Sequence, residues 1–187
     1  MDHIIRIETP FKMDTVKKLK AGDAVYISGT VYAARDAAHK KLIGLLEEGR
    51  ELPFDVRDQI IYYVGPCPAG PGQVIGSAGP TTSGRMDAYA PVLIGQGLTG
   101  MIGKGLRNEQ VVAAMIRHGA VYFGATGGAG ALLSKRIIAQ EITAFPELGA
   151  EALRKLTVKD FPATVIIDCN GTDLYKTGRD LYRITKK

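Results

Sequence analysis

Apolar positions along this chain switch repeatedly between a period of two and a period of about 3.6, which predicts strands and helices in alternation. Residues 24–33, AVYISGTVYA, are rich in β-branched and aromatic side chains around a central glycine and read as a strand relieved by a bulge. Residues 36–48 carry Ala38, Leu42, Leu45 and Leu46 at helical spacing, and Gly49 closes that helix. IIYYV at 60–64 is a second strand, followed by GPCPAGPG at 65–72, whose prolines and glycines continue neither regular structure. A short strand is expected at 73–77, before the loop at 79–84.

A helix is expected from Arg85 to about Gln96, with Pro91 kinking it or shifting its start. A strand at 98–102, a helix at 108–118 ended by Gly119, and a strand at 120–125 follow. The glycine-rich run 127–134 opens into 132–138, and the tail offers strands near 138–144, 153–158 and 164–168. Alternation in the middle and strands toward the end predict an α/β fold with a mixed sheet or a second sheet layer. A three-layer β/β/α domain spanning residues 1–187 fits better than a doubly wound nucleotide-binding fold.

Composition adds few constraints. The length of 187 residues suits one domain, and 45% hydrophobic with 23% charged residues is ordinary for a folded chain. A formal charge of +5 favours anionic partners without choosing among them, and the basic residues are scattered, so nucleic-acid binding is a weak alternative. No stretch approaches the about 18 apolar residues of a membrane span, and the polar start predicts a cytoplasmic protein. Cys67 and Cys169 stand far apart in sequence, with no metal-ligand spacing, so no metal site is expected on this chain.

Polar chemistry gathers in three loops. GPTTSGRMDAY at 79–89 places Thr81, Thr82, Ser83 and Arg85 between glycines before a predicted helix, a setting for an anion; the plain alternative is Ser83 as an N-cap with Arg85 solvated. Arg35 follows the first long strand, where α/β domains line their ligand crevice, although it could simply pair with Asp36; His39 reads as structural rather than as a base. Lys104 stands between Gly103 and Gly105 at another strand end, without the spacing of a phosphate-binding loop. GATGGAG at 124–130 lacks a dinucleotide fingerprint and suggests close backbone packing instead.

Taken together, SGTVYAARDAAHK (28–40), IIYYVGP (60–66), GPTTSGRMDAY (79–89), GKG (103–105), HGAVYFGATGGAGALL (118–133) and FPELGAEALRKLTVKDFPATVIID (145–168) closely resemble the β subunit, or C-terminal domain, of class I fumarases and L-tartrate dehydratases. The resemblance implies a swivelling β/β/α domain and reversible addition of water to a carbon–carbon double bond, with fumarate hydratase the first expectation and L(+)-tartrate dehydratase the second. It implies a [4Fe-4S] cluster ligated by a partner α subunit, a dicarboxylate substrate, and an assembly of α–β pairs. Carried over by position, Arg35, Arg85 and Lys104 hold the dicarboxylate with help from Thr82, and the catalytic residues are Thr81, as the base, and Lys104. Asp36, His39 and Asp87 stand behind them, with Asp87 a candidate to orient Arg85. A catalytically silent anion-binding domain is the alternative from another class.

Overall fold

The computed structural model describes residues 4–183. Five strands run parallel and neighbour one another in chain order: β1 (Ile5–Glu8), β2 (Ala24–Ala33), β3 (Ile60–Tyr62), β4 (Gly100–Gly103) and β5 (Val121–Gly124). Two antiparallel strands complete the sheet, β6 (Ile137–Ala144) and the long β7 (Leu153–Ile167). β7 pairs with β5 through Tyr122↔Ile167 and with β2 from Ala24↔Thr164 to Ala33↔Arg154, which closes the sheet on itself. The expected α/β class with a mixed sheet is the one found.

Side-chain alternation along the parallel strands feeds two cores. Ile60, Tyr62, Ile102 and Phe123 point toward β7 and pack with Leu156, Phe161 and Val165. Ile61, Tyr63, Met101 and Tyr122 point the other way, against Leu42 of α2 (Asp36–Glu47), Leu93 of α3 (Ala90–Gly95) and Met115 of α4 (Glu109–His118). The result is three layers, with the parallel strands in the middle. Burial on both faces explains why these strands read as unbroken apolar runs. α4 ends as its sequence predicts, at Gly119 with φ 73°, and starts one residue later than expected because Asn108 is its N-cap, with Oδ1 accepting from the Val111 N–H at 2.9 Å.

Several elements depart from the sequence reading. The helix expected from Arg85 is a 3-10 turn over Ser83–Met86, followed after a gap by α3, with Pro91 in its first turn; the proline shifts the start. Thr82, not Ser83, is the N-cap residue of that turn, and Ser83 is buried. Residues 73–77 form no strand: the Cys67 N–H donates to Ser77 O at 2.9 Å and the Gly76 N–H to Cys67 O at 3.2 Å, so the segment folds back on its own loop.

The two strands expected in 153–168 are one. Asp-Phe-Pro looks like a break, but Asp160, at φ 48°, sits in a bulge opposite Ser28, and Phe161 resumes the register against Ile27. The expected bulge in β2 is the other half of this irregularity, beside Gly29 at φ 106°. Three short elements had no sequence signal: β1, α1 (Met13–Val16) and α6 (Leu174–Tyr182). α5 (Gly130–Ser134) occupies the glycine-rich run.

Phe123 is fully buried between the sheets, its ring 5.6 Å from that of Phe11. Phe123→Ala should cost about 3–5 kcal/mol of unfolding free energy, read from the urea midpoint; a loss below about 1 kcal/mol would mean that the inner core is not packed as described.

Candidate active site

Three loops leave the carboxyl ends of neighbouring parallel strands and meet along one edge. Arg35 lies just beyond β2 as the extended N-cap residue of α2. The Thr81 N–H donates to Tyr63 O, just past β3, at 2.8 Å. Lys104 follows β4 and forms a parallel bridge with Thr82: its N–H donates to Thr81 O at 3.3 Å and its carbonyl accepts from the Ser83 N–H at 2.8 Å. Backbone pairing therefore sets the Thr81–Thr82 segment beside Lys104. This edge is the usual ligand crevice of α/β domains.

The glycine-rich loop after β5 completes the edge. A β-carbon at Gly127 would stand 3.5 Å from Lys104 Nζ, and one at Gly130 would stand 2.8 Å from the Gly79 nitrogen. These glycines provide the close backbone packing expected of them, and they leave Lys104 room beside the loop that holds Thr81.

Charge on this edge is concentrated around one carboxylate. Arg85 Nη2 donates to Asp36 Oδ2 at 2.7 Å, while Arg35 Nε lies 3.8 Å from Asp36 Oδ1. Burial alone would raise the Asp36 carboxyl. The Arg85 hydrogen bond, its own backbone N–H and the charges of Arg85 and Arg35 outweigh that and hold it below the ordinary carboxylate value. Arg35 Nη2 reaches a second carboxylate, Glu151, at 3.4 Å. Arg35 Nε and Asp36 Oδ1 are buried without hydrogen-bond partners. Two guanidiniums from separated segments thus face a single carboxylate, Arg85 through a hydrogen bond and Arg35 through a longer ion pair.

Behind the edge lies a buried polar layer. Asp87, expected to orient Arg85, instead accepts from Arg107 Nε at 2.7 Å and from the Asn108 N–H at 2.7 Å; Asp36 is the residue that holds Arg85. The Arg107 side chain is fully buried, 5.3 Å from the Tyr63 ring centroid and 5.1 Å from that of Tyr122. Tyr122 Oη donates to Gly105 O and meets Ser83 Oγ, each at 2.9 Å, which pins both sides of the Lys104 loop. Nothing in the sequence marked Arg107 or Glu151. Their partners lie 20 and 116 residues away, beyond the reach of local pattern.

His39 belongs to this layer as well. It is fully buried, its Nδ1–H donates to Arg35 O at 2.8 Å, and its ring stands edge-on to Tyr63 at 5.4 Å. Burial lowers its pKa and the Arg107 charge adds to that, while the Arg35 carbonyl and the Asp36 charge oppose the shift; the balance takes it from 6.5 to about 4. The imidazole is therefore neutral at physiological pH and supports Arg35 from below.

The two cysteines do not fit as ligands of one cluster. Cys67 is exposed in the loop beyond β3, at the carboxyl edge, whereas Cys169 follows the end of β7, whose Ile167 pairs near the start of β5 at the opposite edge. Among the described residues, no three His, Cys, Asp or Glu side chains gather to hold a metal ion. Nor, among those residues, is any helix long and apolar enough to cross a membrane.

Comparison with known proteins places the chain in a family. The family described as Fumarase C-terminus matches residues 2–178. The chain belongs to this family. It is 43% identical over 152 residues to the anaerobic class I fumarate hydratase of Escherichia coli, covering 80% of this chain and 28% of that protein. It is 42% identical to fumarate hydratase 2 of Leishmania major over 156 residues, 82% of this chain and 28% of the relative. A putative L(+)-tartrate dehydratase subunit beta from Methanocaldococcus jannaschii is 38% identical over 167 residues, 86% of each chain. This chain thus spans under a third of these two fumarate hydratases and 86% of the tartrate dehydratase subunit. The Fumarase C-terminus match includes every candidate residue from Arg35 to Lys104.

Two outcomes test the buried layer. Arg107→Met leaves Asp87 buried without its cation and should destabilise the fold by about 3–5 kcal/mol, much of it recovered in Arg107→Met/Asp87→Asn; equal losses in the single and double variants would contradict the pairing. For His39 the unfolded state binds the proton more tightly than the folded state. Its contribution is therefore constant above pH 6.5 and declines as pH falls from 6.5 toward about 4. Between pH 7 and pH 5 this amounts to about 2 kcal/mol of unfolding free energy, absent in His39→Gln. Parallel pH profiles for the parent and His39→Gln would show that His39 is not held neutral.

Proposed function

We propose that this chain is the β half of a hydro-lyase that adds water reversibly to a four-carbon unsaturated dicarboxylate, first of all a fumarate hydratase. The observation that carries the reading is the convergence of Arg35 and Arg85 on one carboxylate, Asp36, beside the paired Thr81 and Lys104. A substrate carboxylate that takes the place of Asp36 meets the same two guanidiniums. The Arg85–Asp36 pair is partly exposed and contributes little to stability, so the exchange costs little.

The chemistry asks for these residue types. Removing a proton from the carbon next to a carboxylate builds extra negative charge on that group, and fixed guanidiniums stabilise the charge more in the transition state than in the substrate. In this reading Arg35 and Arg85 hold the carboxylates, Lys104 adds a third cation with Thr82 beside it, and Thr81 moves the proton. A threonine hydroxyl is a poor base unless positive charge stands near it, and the backbone pairing with Lys104 places a cationic residue next to Thr81. The [4Fe-4S] cluster would belong to a partner α subunit, where it supplies a Lewis acid for the leaving hydroxyl. The chain is then a single swivelling domain that completes a partner's site in a cytoplasmic assembly of α–β pairs.

L(+)-tartrate dehydration is the second reading. It is favoured by the Methanocaldococcus jannaschii relative, which this chain matches over 86% of its length and whose name is putative L(+)-tartrate dehydratase subunit beta.

Anaerobic co-expression with a cysteine-bearing α partner, followed by assays of L-malate and L-tartrate dehydration, tests both readings. Activity on L-malate is expected. No activity on either substrate with an intact cluster would overturn the enzyme reading. Arg85→Lys keeps the charge but loses the two-pronged geometry, and should lower kcat/KM about 10- to 100-fold, the worth of one charged hydrogen bond. An unchanged value would remove Arg85 from the substrate clamp.

A further inference from the structure

We propose that Glu151 and Gly65 are positioning residues that aim Arg35 at the substrate, which makes the turn between β6 and β7 one wall of the site. The inference rests on the reading that Arg35 grips the dicarboxylate.

The Arg35 side chain is held by neighbours both along its stem and at its tip. Its stem lies across the bare α-carbon of Gly65: a β-carbon there would stand 2.7 Å from Arg35 Nη1, 2.8 Å from Arg35 Cδ and 3.4 Å from Ala150 O. No side chain fits at that position unless the guanidinium moves. At the far end, Arg35 Nη2 meets Glu151 Oε1 at 3.4 Å, while Glu151 Oε2 accepts from the Ala37 N–H in the first turn of α2 at 3.4 Å. Glu151 thereby ties Arg35 and α2 to the same turn.

The turn is itself held against α2. Lys41 forms an ion pair with Glu147 and lies 5.2 Å from the Phe145 ring centroid. Phe145 and Gly149 both adopt φ 59°, which lets the segment over Pro146–Glu151 reverse direction. Magnitudes separate a positioning role from a stabilising one. A partly exposed Arg–Glu pair contributes little to folding. Misplacing a binding group by about 1 Å can cost about 100-fold in rate.

The test uses the reconstituted complex with the α partner. Glu151→Gln and Gly65→Ala are each made in the parent and in Arg35→Ala, and kcat and KM for L-malate are measured. In the parent, each should lower kcat/KM about 10- to 100-fold, mostly through KM, with the thermal midpoint moved by no more than about 3 °C. In Arg35→Ala neither should cost anything further. Parental kinetics in Glu151→Gln, or equal losses in both backgrounds, would overturn the proposal. Should Gly65→Ala fail to fold, the Glu151→Gln cycle decides. A parental complex inactive on both L-malate and L-tartrate sinks the functional reading instead. The nitrogen resonance of Arg35 Nε in this chain then decides on positioning: it shifts in Glu151→Gln if Glu151 aims the guanidinium, and an unchanged resonance overturns the proposal.

Discussion

β7 is hydrogen-bonded on two sides, to β2 and to β5, and the arrangement of the site depends on that double pairing. It closes the sheet over the inner core and leaves the other face of the parallel strands to the helices. It also decides what reaches the edge that carries the candidate site. Because β7 runs antiparallel to β2, with Arg154 opposite Ala33, the segment before β7 arrives where the parallel strands end. Glu151 is therefore brought to Arg35 by register, across more than a hundred residues of chain.

The arginines of this edge divide by burial, and burial decides what each can do. Arg107 has no exposed side-chain surface, its carboxylate partner Asp87 is also buried, and it lies against two tyrosine rings. Separating that pair would leave a charge in the interior, so it serves as scaffold. Arg85 keeps 45% of its side chain exposed and pairs with an Asp36 that is itself partly exposed. There solvent screens the attraction, and another carboxylate can compete for the guanidinium at little cost. Arg35 is intermediate, with Glu151 at one end, Gly65 beneath it and an unpartnered Nε facing Asp36.

Much of the fold was legible because period and punctuation are local signals. β2, α2 and α4 with its Asn108 and Gly119 caps stand close to where apolar spacing placed them. β7 was not legible as one strand, since Pro162 removes an N–H and a bulge at Asp160 hides continuity that only pairing with β2 reveals. Residues 73–77 misled for the opposite reason: their apolar pair looks like a strand, but Gly76 turns back on Cys67. At the site, strand ends pointed to Arg35 and Lys104 and a hydroxyl-rich loop before a predicted helix to Thr81 and Arg85, and the structure brings Arg35 to Arg85 through Asp36, and Thr81 to Lys104 through backbone pairing. Partnerships were less visible. Asp87 is two residues from Arg85 and looked like its partner, yet the 3-10 turn carries it inward to Arg107 while Asp36, 49 residues away, takes Arg85.

The proposed grip of two guanidiniums on a dicarboxylate is the feature on which the proposed function depends. Its most direct test is calorimetric titration of the reconstituted α–β complex with succinate, a four-carbon dicarboxylate that cannot be hydrated or dehydrated. The parent should bind, Arg35→Ala and Arg85→Ala should each weaken binding by about 10-fold or more, and the double variant should show no measurable heat. A double variant that binds succinate with the parental Kd would contradict the account.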